Sequence, residues 1–206
     1  MQVFGTIPEN TIFLPDIPYQ VRFNCKDGGL FVGGSEPEHR RSNPTDKVDI
    51  SIIKIGKYYG DLGKTKSAIW LQLFFVAGVG VDPKILPQNT VCVSYIKRKS
   101  INNLNNVVAG IMAQKIEPAT GIFTISFNRE QGDLGVYYSV NFDWRERSTK
   151  EEKAQLETIQ EFWSANNDYI IDLDGTRDMQ SINGLTAQQI NQLMSNPNHK
   201  QLTSAN

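Results

Sequence analysis

Residues 136–144 read Val-Tyr-Tyr-Ser-Val-Asn-Phe-Asp-Trp. Val136, Tyr138, Val140, Phe142 and Trp144 fall on one side; Tyr137, Ser139, Asn141 and Asp143 fall on the other. Side chains of an extended chain point to opposite faces in turn, so this strict alternation specifies a half-buried strand. The pattern recurs. Val48, Ile50 and Ile52 alternate within residues 48–55, and Ile69, Leu71, Leu73 and Phe75 share a face within residues 68–76. Val91, Val93 and Tyr95 do so within residues 90–96, and Phe123, Ile125 and Phe127 within residues 122–128. Residues 107–114 read as a weaker strand, since Ala109, Gly110 and Ala113 suit a helix as well. The link at residues 129–135 is short and carries Gly, which predicts an antiparallel hairpin between the last two strands.

The first 47 residues are broken by Pro8, Pro15, Pro18, Pro37 and Pro44 and by the pairs Gly28-Gly29 and Gly33-Gly34. Proline removes a backbone donor and glycine loosens the chain, so only short extended pieces fit there, at residues 11–14, 19–25 and 30–32. The polar stretch 35–47 reads as a surface loop. At Ser148 the period changes. Ser148 with Glu151, or Thr149 with Glu152, offers a capping box, and Leu156, Ile159, Phe162 and Trp163 then recur at helical spacing. Residues 169–173 (YIIDL) suggest an edge strand, and Thr186 with Gln189 opens a second, short helix that Pro197 closes. Strands followed by helices predict a mainly β fold, an antiparallel barrel or sandwich of OB-like kind, over residues 1–145. Residues 146–206 form a helical C-terminal appendage: an amphipathic helix and a short second one.

Composition supports a folded domain: 39% of the 206 residues are hydrophobic and 21% charged. Net charge is −1, but residues 48–145 carry +4 and residues 146–206 carry −4. The gradient barely exceeds ordinary surface scatter; read functionally, it suits the middle, and not the C-terminal part, to an anion. Cys25 and Cys92 sit in apolar stretches with no CxxC spacing, which predicts buried free thiols in a reducing, cytoplasmic setting. No signal peptide or membrane-spanning run is expected.

The chain offers little for catalysis. Its two histidines, His39 and His199, lie in a polar loop and near the C-terminus, so a nucleophile–histidine site is not expected. No Cys/His pair has metal-ligand spacing, and no metal or cofactor is expected. An enzyme would have to rely on carboxylates such as Asp143, Asp172 and Asp174. Residues 55–65 end in Gly63-Lys64-Thr65 like a phosphate loop, but Tyr58 stands where that motif needs Gly, and a strand pattern follows where a helix is required.

The same stretch carries the functional expectation. Lysines interleave with rings here, and a second basic run follows Tyr95. Cations that track phosphates, mixed with rings that stack on unpaired bases, are what single-stranded DNA or RNA requires. Tyr58, Tyr59, Trp70 and Tyr137 are the expected stacking residues. Lys57, Lys64, Lys66, Lys97, Arg98 and Lys99 are the expected phosphate contacts. Such a surface resembles that of OB-type single-strand binders in architecture. The alternative expectation is a structural or adaptor subunit of a homo-oligomeric assembly, whose polar arms order against neighbours.

Overall fold

The computed structural model describes residues 11–14, 18–133, 135–166 and 179–195. The alternating stretches are strands, and most run longer than their apolar cores. They are β1 (Tyr19–Gln20), β2 (Arg22–Phe23), β3 (Leu30–Phe31), β4 (Val48–Leu62), β5 (Thr65–Ala77), β6 (Cys92–Lys97), β7 (Ile122–Gly132), β8 (Gly135–Arg145) and β9 (Met179–Ser181). The helices are α1 (Lys99–Ala113), α2 (Lys150–Asn166) and α3 (Ala187–Ser195). The main sheet runs β1-β6-β5-β4-β7-β8, and β9 adds to β4. All its pairs are antiparallel except β1 with β6, so the sheet is mixed.

β4 organises the sheet. Its first residues pair with β7, Val48 opposite Ile125, and its last pair with β9, Tyr58 opposite Ser181. Against β5 the register slips between Ile52, opposite Phe75, and Lys54, opposite Phe74. A bulge of this kind bends the strand and reverses which side chains face inward. Before it Ile50 and Ile52 face the core; beyond it Ile55, Lys57 and Tyr59 lie on that side, and Lys54 and Tyr58 lie outside.

The inner face buries Ile50, Ile52, Leu71, Leu73, Phe75, Ile96, Phe123, Ile125, Phe127, Val140 and Phe142 in one cluster. Phe23 ties its two wings, its ring centroid 5.8 Å from Phe75 and 6.4 Å from Phe127. The outer face of β5 and β6 buries Phe74, Val76 and Val93 beneath Ile12 and the Ile159 and Phe162 side chains of α2.

The fold is mostly β, as expected, but strand pairing does not close a barrel. Among the described residues no ladder joins β6 to β8, and the sheet stays open. The outward edge of β8 is instead met by isolated groups. Tyr138 N–H donates to the Cys25 carbonyl at 2.7 Å, Val140 N–H to Ser100 Oγ at 3.0 Å, and Asn103 Nδ2 donates to the Val140 carbonyl at 2.7 Å.

The strand expected at residues 107–114 is the second half of α1. Ile101, Leu104, Val107, Val108 and Ile111 recur at spacings of three and four and pack inward, a helical period that the local Val-Val pair obscures. The hairpin at residues 129–135 forms, but pairing runs to Gly132 opposite Gly135, so most of the expected loop is strand. Both capping boxes form. Thr149 N–H donates to Glu152 Oε2 at 3.2 Å and Glu152 N–H to Thr149 Oγ1 at 3.1 Å. Thr186 N–H donates to Gln189 Oε1 at 2.9 Å, with the return bond at 3.3 Å. Residues 169–173 and Pro197 lie outside the described residues. Cys25 and Cys92 are both free. Among the described residues no helix is long and apolar enough to cross a membrane.

Candidate nucleic-acid interface

The basic run Lys97-Arg98-Lys99 occupies the corner where β6 ends and α1 begins. Lys97 lies opposite Trp70 of β5. Its ammonium sits 5.1 Å from the Trp70 ring centroid and donates to Thr65 Oγ1 at the start of β5. Lys99 reaches the other way, with Nζ 2.5 Å from Glu130 Oε2 of β7. Glu130 also accepts from Ser139 Oγ at 2.7 Å. Lys97 and Lys99 thus tie the β4–β5 hairpin to the β7–β8 hairpin.

Arg98 stands between these ties, exposed, with φ +49° and ψ −121°. An L-residue adopts this backbone at a cost of roughly 1–3 kcal/mol, a strain that clusters at functional positions. As N-cap of α1 it makes no side-chain cap bond, and the first turn of α1 holds no acidic residue. The positive helix end and the three cations therefore reinforce one another.

The electrostatics follow from the partners. Desolvation, with Arg98 close by, pulls the Lys97 ammonium below its ordinary pKa. The Glu130 carboxylate holds Lys99 above its ordinary value, and Lys99 holds Glu130 below the usual carboxylate range. Lys66 is paired with Asp61 at 3.1 Å. Lys57, Lys64 and Arg98 are exposed. The segments 57–66, 97–99 and 129–137 together hold seven basic and three acidic residues in a chain of net charge −1.

The rings divide. Trp70 and Tyr58 are each only 6% exposed, opposite one another on the outer face, and Trp70 Nε1 donates to the Gly60 carbonyl at 3.2 Å. Neither presents an open face for stacking; Trp70 supports the lysine above it. The β4 bulge is the reason, because it turns Tyr58 to the side where Trp70 lies. Tyr59 is half-buried on the opposite side, and Tyr137 is 38% exposed beside Gly132. Sequence reading missed Glu130, Thr65 and Ser139, which fix the cations; no local pattern marks them, since their partners lie 31, 32 and 9 residues away.

At the open end of the β4–β5 hairpin a cleft of about 580 Å³ is lined by Asp49, Val79, Thr124, Asp143, Trp144 and Arg145, among others. Its polar floor is spent on structure: Arg145 Nη2 binds Asp49 and Glu152, each at 2.7 Å, and Thr124 Oγ1 donates to Asp49 at 2.6 Å. Among the described residues no three His, Cys, Asp or Glu side chains converge as metal ligands. Asp172 and Asp174 lie outside the described residues. Set against protein-family models, curated proteins and solved structures, the chain matches none.

Proposed function

We propose that this protein binds single-stranded nucleic acid, without catalysis, along the cationic rim where the two hairpins meet the β6–α1 corner. The observation that carries the reading is the double tie: Lys97 to the β4–β5 hairpin and Lys99 to the β7–β8 hairpin, with Arg98 exposed between them. The strand order supports it. The order β6-β5-β4-β7-β8, with a helix between β6 and β7, is compatible with an OB-type plan whose barrel is left open. In that plan the second and third strands and the loops after the first and fourth meet the ligand. Those elements here are β5, β6, the turn holding Lys64 and the turn beside Tyr137. Lys57, Lys64, Lys66 and Arg98 serve as phosphate contacts; Lys97 and Lys99 hold the corner in shape while adding charge. Tyr137 is the ring open to a base, Tyr58 and Trp70 form the floor, and Tyr59 lies on the other face.

Fluorescence anisotropy with a labelled oligonucleotide tests the reading. Affinity should fall steeply with salt, with a log–log slope of about −0.7 for each phosphate neutralised. Absence of binding at micromolar protein in low salt overturns it. A defined oligomer in sedimentation velocity that ignores the oligonucleotide would favour the adaptor alternative.

A further inference from the structure

One buried amide on the outer face of the sheet is only half used. Gln72, in the middle of β5, is 1% exposed and lies in register with Gly56 of β4 and Tyr95 of β6. Its Nε2 donates to the Tyr95 hydroxyl at 2.8 Å. Its Oε1 is closed off from water and accepts no hydrogen bond. Turning the amide over moves the unmet bond from oxygen to nitrogen without filling it. A buried polar atom left so carries its full desolvation cost, and in a native protein it calls for a reason.

The surroundings supply one. Two residues towards the hairpin tip, roughly 7 Å along the strand, the same face carries Tyr58, Trp70 and Lys97. A Cβ on Gly56 would lie 2.8 Å from Tyr58 Cε2 and 3.3 Å from Gln72 Oε1. The Tyr58 ring therefore folds back over this glycine, on the side where the amide lies. Approach to Gln72 from the rim would pass this ring.

The geometry points to Gln72 as the residue that reads an unpaired nucleobase, its amide bonding the Watson–Crick edge of a base whose phosphate is held at Lys97 and Arg98. This rests on the nucleic-acid reading above. All four bases carry an N–H donor on that edge, and in a duplex the donor is already spent. Gln72 thus selects unpaired strands over duplex, and bases over bare backbone, with little preference among sequences.

The test compares an intact oligonucleotide with an abasic one of the same length, by anisotropy, for the natural protein and Gln72→Leu. The natural protein should bind the intact strand at least about ten-fold tighter. Gln72→Leu should lose about five- to ten-fold on the intact strand, the worth of one hydrogen bond, and nothing on the abasic strand. Its melting temperature should hold or rise, because the orphaned atom is gone; if it falls, Gln72→Met, closer in shape, takes its place. Unchanged affinity in the variant, or no preference for the intact strand, overturns the inference while salt-dependent binding leaves the rim reading standing. Failure to bind either strand removes both.

Discussion

Gly29 shows how much depends on single residues in the irregular N-terminal segment. Its φ is +105°, and a Cβ there would lie 2.1 Å from the Ser42 carbonyl oxygen. Gly29→Ala meets both backbone strain and a clash with main chain that cannot swing away. We expect it to cost about 3 kcal/mol or more, read as a lowered urea midpoint. Cys92 makes a second residue-scale case. Burial pushes its thiol up to about 12. At pH 8 it should resist a thiol reagent in the folded protein and react once urea unfolds the chain; labelling with mass spectrometry checks this. The sequence anticipates its burial, since it sits among Val91, Val93 and Ile96. The burial of Tyr58 is not legible in the same way. A bulge at Ile53 sets its side, and Ile52-Ile53 looks like ordinary β-branched strand.

Among the elements, α2 is the best specified by its own residues. Its cap was readable because the capping box is a local pattern. The further role of Glu152 was not, because Arg145 approaches from β8. Arg145, the Ser148 N–H and the Thr149 N–H together hold the Glu152 carboxyl down to about 2. The sign is fixed: a carboxyl depressed in the folded state adds stability above its unfolded value, near 4.3, and loses it as pH falls towards 2. Urea midpoints should therefore drop across that window. Glu152→Gln should cost about 1–2 kcal/mol at pH 7 and flatten that stretch of the profile. A Gln variant with the natural slope would assign the acid sensitivity elsewhere. The helical character of α1 lay in its 101–104–108–111 spacing, masked by residues that tolerate either state.

At the scale of the whole molecule, period-two patterns name strands but not neighbours. Nothing local tells β7 to meet β4 at Val48 or β1 to lie parallel to β6, which is why the mixed order was not foreseen. The approach of Lys97 to Trp70 and Thr65 across β5 and β6 depends on the same pairing, and the burial of Tyr58 and Trp70 beside exposed cations was not foreseen. Phe23 measures how far the two wings depend on each other. Phe23→Ala should cost about 3–5 kcal/mol in a single cooperative urea transition, and two separate transitions would show that the wings fold independently. Arg98→Ala should weaken oligonucleotide binding at every sequence and lower the magnitude of the salt slope by about 0.7, whereas Arg98→Lys should keep most of that slope.

The edge of β8 facing β6 is fastened by one carbonyl, one hydroxyl and one amide, each acting alone. Separate clasps loosen one at a time, without unpicking any stitched hem. The amide protons of Tyr138 and Val140 should therefore exchange with deuterium well before those along the β4–β5 ribbon.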